Sequence, residues 1–374
     1  MYASTQHATL EHPHARPAMP RSPRQLEALA PDRIRSAKSA YSVRRVNLAD
    51  ATHLLLDAQP SSGDLVLARV AHLGQHLHLE SGDGRRCRLW PGDEIVVAYG
   101  ARYAPDQFEA IVPEDLAPCH LVAGGGIAAR VLSHHAGMKS ATRIEPIGLL
   151  ANAGGAINLR SAALGTPQPV RPAFTVAVVG SSMNAGKTTT AASLIVGLKR
   201  LGRRVGAAKI TGTGSGGDRW LMADAGAAPV LDFTDAGYAT TAALPVEALE
   251  NILTFLSRHV ASAGVECLVL EIADGLLQAE TSALVQSRRF ARTVDAVVFA
   301  APDAMSAVAG VDWLQQRHLP IAAVSGVLTA SPLAMREAAA AVRMPVHTQY
   351  DLNDPQILRA LFPVLDRLPV KSAA

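Results

Sequence analysis

Aromatic residues make up only 4% of this 374-residue chain, with seven Phe, six Tyr and three Trp. Nucleic-acid surfaces lean on aromatic side chains interleaved with basic ones, so this scarcity argues against such a partner. Cysteine is rarer still. Cys87, Cys119 and Cys267 are odd in number and far apart, which fits a reducing compartment, the cytoplasm by default, better than a disulfide framework. Nowhere do about 18 apolar residues run uninterrupted, so no membrane span is expected. Cys119-His120 and His134-His135 lack the spacing of a structural zinc site. What the chain has in quantity is apolar sequence: 49% hydrophobic against 18% charged residues, enough for a large core and for two domains or more.

The net charge of +3 is unevenly placed, since residues 1–45 hold eight Lys or Arg against three Asp or Glu. That stretch, rich in Pro, His and Ala and without a secretory signal's apolar core, reads as a disordered basic tail. Over 46–165 short alternating runs such as Leu65-Val66-Leu67-Ala68-Arg69-Val70 are separated by Ser62-Gly63-Asp64, Gly82-Asp83-Gly84 and Pro91-Gly92-Asp93. They predict a β-rich domain, a barrel or a sandwich, with a turn at Gly124-Gly125-Gly126 and a helical patch over Gly126 to His135. A proline cluster from Pro167 to Pro172 marks the boundary. Over 173–365 strands and helices alternate: apolar runs at Phe174 to Gly180, Arg204 to Ile210, Pro229 to Phe233, Glu266 to Ile272, Asp295 to Ala300 and Ile321 to Val327 are strands. Helices are expected between them, one carrying Leu249, Ile252, Leu253 and Leu256, others near 280–291, 305–317 and 332–342. The fold class expected is α/β, a doubly wound, mostly parallel sheet of the P-loop NTPase kind, preceded by the smaller β-rich domain.

The segment VAVVGSSMNAGKTT, Val176 to Thr189, carries the chemistry. A strand that ends in a glycine-rich loop and opens a helix gathers backbone N–H groups, a helix N-terminus, a lysine and a hydroxyl around a phosphate chain. Lys187 would reach the β and γ phosphates, Thr188 would ligate Mg²⁺, and the amides of Asn184, Ala185, Gly186, Lys187, Thr188 and Thr189 would form the cradle. The first glycine of the usual spacing would fall at Ser181, and Gly180 stands one residue before it.

With its five-residue gap between glycines, this loop resembles that of dethiobiotin synthetase and its relatives among the P-loop NTPases. Ala207-Ala208-Lys209-Ile210-Thr211-Gly212 is similar to that family's Lys-Pro-x-x-Thr-Gly segment, and the resemblance implies that Lys209 faces the substrate. Leu268-Val269-Leu270-Glu271-Ile272-Ala273-Asp274-Gly275 looks like the strand whose glutamate works on Mg²⁺, which implies that role for Glu271. Gly217-Asp218-Arg219-Trp220 and Asp224-Ala225-Gly226-Ala227 are similar to a segment of the accessory GTP-binding proteins of molybdopterin dinucleotide synthesis. Asp218 thus becomes a candidate sensor of the metal and the γ phosphate. The resemblance covers 173–330 only. No Asn-Lys-x-Asp follows the late strand, so ATP is preferred and GTP is not excluded. Asp232, Asp235, Thr240 and Thr241 either line the pocket or cap the next element.

Together these residues imply a cytoplasmic, Mg²⁺-dependent ATP-binding enzyme that passes its γ phosphate to a small acidic metabolite or activates that metabolite's carboxylate, as a synthetase or ligase does. Lys187, Lys209, Asp218 and Glu271 would be catalytic, and Thr188, Asp218 and Glu271 would hold the metal. The alternatives are a nucleotide-gated accessory or delivery protein, and a polynucleotide or small-molecule kinase. No membrane partner is expected, and a homodimer is left open.

Overall fold

The computed structural model describes residues 25–368. Eleven strands form the first sheet, and five of them close on themselves. Thr142–Asn152 pairs with Leu65–His72, which pairs with Glu94–Tyr99, then Ile127–His134, then Cys119–Ala123, which returns to Thr142–Asn152. Of the two forms expected, this is the barrel, and closure leaves its strands without free edges. Leu65, Leu67, Val96, Val97, Leu121, Ile127, Ile144 and Leu150 fill its core.

Ile127–His134 is a strand, not a helical patch: it has a partner on both sides, Cys119–Ala123 and Phe108–Ile111. Its apolar residues are local in sequence, but the ladder decides their conformation. Residues 25–45 of the expected tail are folded. Leu26–Ala28 pairs with His53–Leu55, Lys38–Ser39 with Glu94–Tyr99, and Tyr41 and Val43 are fully buried. Average composition over 45 residues hid this short anchoring segment; residues 1–24 of the expected tail lie outside the described residues.

The second sheet has six parallel strands: β1 Phe174–Gly180, β2 Val205–Lys209, β3 Val230–Asp232, β4 Cys267–Glu271, β5 Ala296–Ala300 and β6 Ile321–Ser325. Their order is β3-β2-β4-β1-β5-β6. Every residue of β1, β2, β4 and β5 is buried, as expected where helices cover both faces. Three helices matter below: α1 Lys187–Arg200, α2 Gly217–Asp224 and α3 Val246–Ser262. Leu249, Ile252, Leu253 and Leu256 of α3 pack on one face of the sheet, while Leu194, Ile195 and Leu198 of α1 pack on the other. The helix expected near 280–291 is two short ones, Ala279–Val285 and Arg288–Thr293. The break comes at Ser287, whose hydroxyl accepts the Phe290 amide at 3.1 Å and starts the second. After β1 the chain runs to one side, through β2 and β3, and β4 brings it back; β5 and β6 extend the other side. The carboxyl ends of β1 and β4 therefore flank the point where open α/β sheets bind ligands.

The two sheets are joined by a buried ionic socket. Arg44 reaches Asp235 at 2.8 Å and Asp232 at 3.4 Å, Tyr41 donates its hydroxyl to Asp232, and the guanidinium lies 4.2 Å from the Tyr41 ring centre. Of the four residues expected to line a pocket or cap an element, Asp232 and Asp235 serve this socket and also cap the turn after β3, accepting the Thr234 and Asp232 amides at 2.8 and 2.9 Å, while Thr241 and Thr240 accept the Gly212 and Ala242 amides at 2.8 and 3.2 Å. Burial alone would raise both acids; Arg44 overcomes this at Asp232, whose pKa is lowered, while burial and the neighbouring Asp232 raise Asp235. Removing the cation would leave two buried carboxyls facing each other. Arg44→Met should destabilise the chain by about 3–5 kcal/mol, the cost of breaking a buried pair from one side; urea unfolding measures it, and a loss below about 1 kcal/mol would show the socket to be idle.

Candidate nucleotide site

At the end of β1 the chain enters the loop 181–186 and α1 begins at Lys187. Gly186 has φ of +94°, and a Cβ there would sit 3.0 Å from both the Gly326 Cα and the Val327 amide nitrogen, so glycine answers to conformation and to space. Asn184 also takes a left-handed φ of +62°, and its side-chain amide donates to Asp106 of the barrel region at 2.8 Å. No side chain caps α1. Its first-turn amides and the positive end of its dipole are thus available to an anion. The Lys187 ammonium folds back over the loop and donates to the Ser182 carbonyl at 2.7 Å. Burial lowers its pKa, against the pull of Glu271.

Behind the loop four ionisable groups and one hydroxyl converge. Thr188 Oγ1 lies 2.9 Å from Glu271 Oε1 and 3.1 Å from Asp218 Oδ1, and the Lys209 ammonium donates to the other oxygen of Asp218. Strand pairing places Lys209 directly beside Glu271, at the ends of β2 and β4. Glu271 Oε2 is buried and has no hydrogen-bond partner. Burial first, then repulsion from Asp218, pushes Glu271 up to about 7. Asp218 moves the other way: burial would raise it, but Lys209 brings it below the ordinary carboxylate range. Lys209 is itself raised, because Asp218 and Glu271 outweigh its burial.

These groups line a cavity of about 550 Å³. Of the residues expected from the sequence, Asn184, Gly186, Lys187, Thr188, Thr189, Lys209, Asp218 and Glu271 all face it. Gly180 ends β1, and Ala185 is buried under the loop, its carbonyl accepting the Val327 amide at 3.0 Å. Among the lining residues to which the sequence reading gave no role are Asp274, Arg102, Tyr103 and Gln107. Asp274 had a signal, an Asp-Gly pair directly after an apolar strand, and its φ is +64°. The other three come from the barrel region, and nothing in the sequence ties them to a phosphate loop 80 residues away. A second cavity, of about 740 Å³, adjoins the first and shares Arg102, Gln107 and Ser215 with it; His76 lies in its wall.

A buried parallel strand, a loop with left-handed residues, an uncapped helix and a lysine curled over the loop have the form of a phosphate loop. The second sheet has the fold of a P-loop NTPase. No protein-family model matches the chain, and no curated protein matches it. Two of the solved structures that resemble it bind GDP. One is the signal recognition particle 54 kDa protein from Aeropyrum pernix K1 in complex with GDP, 20% identical, covering 54% of this chain and 48% of that one, with a TM-score of 0.36. The other is the signal recognition particle receptor FtsY from Elizabethkingia anophelis in complex with GDP, 14% identical, covering 54% of this chain and 67% of that one, with a TM-score of 0.37. This chain thus spans about half the length of the first. Neither is a dethiobiotin synthetase, and likenesses this slight leave the fold to be read from the loop and sheet themselves. Among the described residues no helix is long and apolar enough to cross a membrane.

The wall of the second cavity has a pH signature. Burial chiefly, and the Arg102 charge, push His76 down to about 4. The fold therefore keeps it neutral while the unfolded chain takes up a proton near its ordinary value of about 6.5. Stability that is present above about pH 6.5 should be lost as pH falls towards 4, and His76→Gln should flatten that decline. Urea unfolding of both proteins at pH 7 and pH 5 tests this; equal declines would contradict it.

Proposed function

We propose that this chain binds a Mg²⁺-complexed nucleoside triphosphate, ATP rather than GTP, cleaves its β–γ bond, and communicates the outcome to the barrel region. What supports the reading most is one arrangement: Lys187, Thr188, Lys209, Asp218 and Glu271 on a single cavity at the mouth of an uncapped helix. ATP is preferred because no Asn-Lys-x-Asp follows β6.

The donor set fits Mg²⁺. That ion takes hard oxygen ligands, commonly a hydroxyl with one or two carboxylates, and leaves the rest of its sphere to phosphate and water. Thr188 Oγ1 sits between two carboxylates, and Glu271 Oε2 is an acceptor awaiting a partner. Among the described residues no group of three or more His, Cys, Asp or Glu gathers to hold a metal by itself, in keeping with an ion completed by its substrate. When bound, the ion would neutralise charge on the β and γ oxygens.

The chain's own residues then have distinct parts. Loop amides and the α1 N-terminus hold the phosphates, Lys187 leaves the Ser182 carbonyl for a phosphate oxygen, and Lys209 keeps Asp218 ionised and aimed at Thr188. Glu271, whose pKa is raised by burial and by Asp218, would be favoured as a carboxylate by a bound cation. Gating has its own support: Glu80 of the barrel region accepts from the Ser215 hydroxyl and the Gly216 amide, both at 3.0 Å, just before Asp218. A second reading, transfer to a small acidic acceptor as the synthetase resemblance implies, is favoured by the adjoining cavity. A carboxylate acceptor would attack phosphorus without losing a proton, so no general base is required of the site.

Lys187→Ala should lower triphosphate affinity at least 100-fold in a folded protein, because the loop's ammonium is lost; unchanged affinity by calorimetry would remove the nucleotide assignment. Glu271→Gln should bind nucleotide within about tenfold of wild type and turn it over on the order of 100-fold more slowly, the scale for one preorganised electrostatic group. Normal turnover with normal Mg²⁺ dependence would make Glu271 structural.

A further inference from the structure

The 740 Å³ cavity lies outside the phosphate loop and enters the reading above only as room for an acceptor. Its size falls in the range of small-molecule sites, roughly 300–1,000 Å³. Arg102, on its wall, is only 8% exposed, yet among the described residues its guanidinium makes one hydrogen bond, from Nη2 to the Gln107 side chain at 2.9 Å, and no ion pair. Buried charges are normally paired, so this one points to a ligand that pairs it. The charge balance says which kind. Arg86 and Arg102 line the cavity, and the single carboxylate on the wall, Glu80, already accepts from Ser215 and Gly216. Guanidinium groups take carboxylates through paired N–H donors.

We propose that this cavity binds a small carboxylate-bearing metabolite held by Arg86 and Arg102. Its position makes it more than an accessory pocket. Ser215, Gly217 and Trp220 line it, while Asp218, in the same segment, touches Thr188 across the chain. Arg102, Gln107 and Ser215 belong to both cavities. Ligand in one cavity and nucleotide in the other therefore bear on one short stretch of backbone, and each should alter the other's affinity by the same factor. This coupling rests on the neighbouring cavity's being the nucleotide site; the carboxylate site does not.

Calorimetry on the full chain tests both. Glutamate, aspartate, succinate and citrate are titrated alongside glutamine, asparagine and succinamide, with and without Mg²⁺ and a non-hydrolysable ATP analogue. At least one acid should bind saturably, at least tenfold tighter than its amide, and its affinity should change at least threefold when the nucleotide is present. Arg86 is exposed, so Arg86→Glu is expected to fold, which its thermal transition checks, and it should weaken acid binding at least tenfold. No saturable acid, or one bound equally well by Arg86→Glu, overturns the site. Acid binding indifferent to a nucleotide that does bind overturns the coupling alone, and failure of the nucleotide analogue to bind overturns the reading of the first cavity instead.

Discussion

Two ammonium groups and two carboxylates share one buried place at the ends of β1, β2 and β4, and the rest of the site is arranged around that fact. Charges out of water are tolerated only when they are paired and hydrogen-bonded. Lys209 and Asp218 satisfy each other, and Thr188 serves Asp218 and Glu271. Glu271 is left with one unpartnered oxygen and a raised pKa of about 7. Lys187 borrows a backbone carbonyl. Such a cluster is stable enough to exist and incomplete enough to take up a polyanion with its cation.

A parallel sheet supplies the position, but the barrel region supplies part of the wall. Arg102, Tyr103 and Gln107 cross from the first sheet to the phosphate cavity, and Asp106 holds the loop residue Asn184. The glycine turn at 124–126 packs against the segment before α2 so closely that a Cβ on Gly125 would lie 1.9 Å from the Gly214 carbonyl oxygen. Glu80 holds the next two residues. The Arg44 socket fixes this arrangement from the carboxyl end of β3, where Asp232 pairs in register with Lys209. Movement of Asp218 between nucleotide states would thus be felt directly by the barrel, whether the output is a gated contact or a bound acid.

Legibility in the sequence followed the range of the interactions. The phosphate loop, α1 and the six parallel strands were readable because strand, glycine, lysine and helix lie within a few residues of one another and buried strands write themselves as apolar runs. Lys209, Glu271 and Asp218 are found through resemblance to short segments of known families, which the places of the first two at strand ends and of the third in a glycine-rich loop support. The strand Ile127–His134 was misread because its conformation is set by partners far away in the chain, and the anchoring segment around Tyr41 because one buried tyrosine does not alter a regional composition. Asp232 and Asp235 could be located but not interpreted, since their partner Arg44 is separated from Asp232 by 188 residues. Arg102 had no signal at all: its role is a product of the contact between the two sheets.

If the loop and its charge cluster form one Mg²⁺-nucleoside triphosphate site, titration of the wild-type chain with ATP and with GTP, each in the presence of Mg²⁺ and again in the presence of a chelator, will reveal it. One saturable site per chain is expected, with ATP bound more tightly than GTP and its affinity falling at least tenfold when Mg²⁺ is withdrawn. Binding of neither nucleotide under any of these conditions would contradict the account.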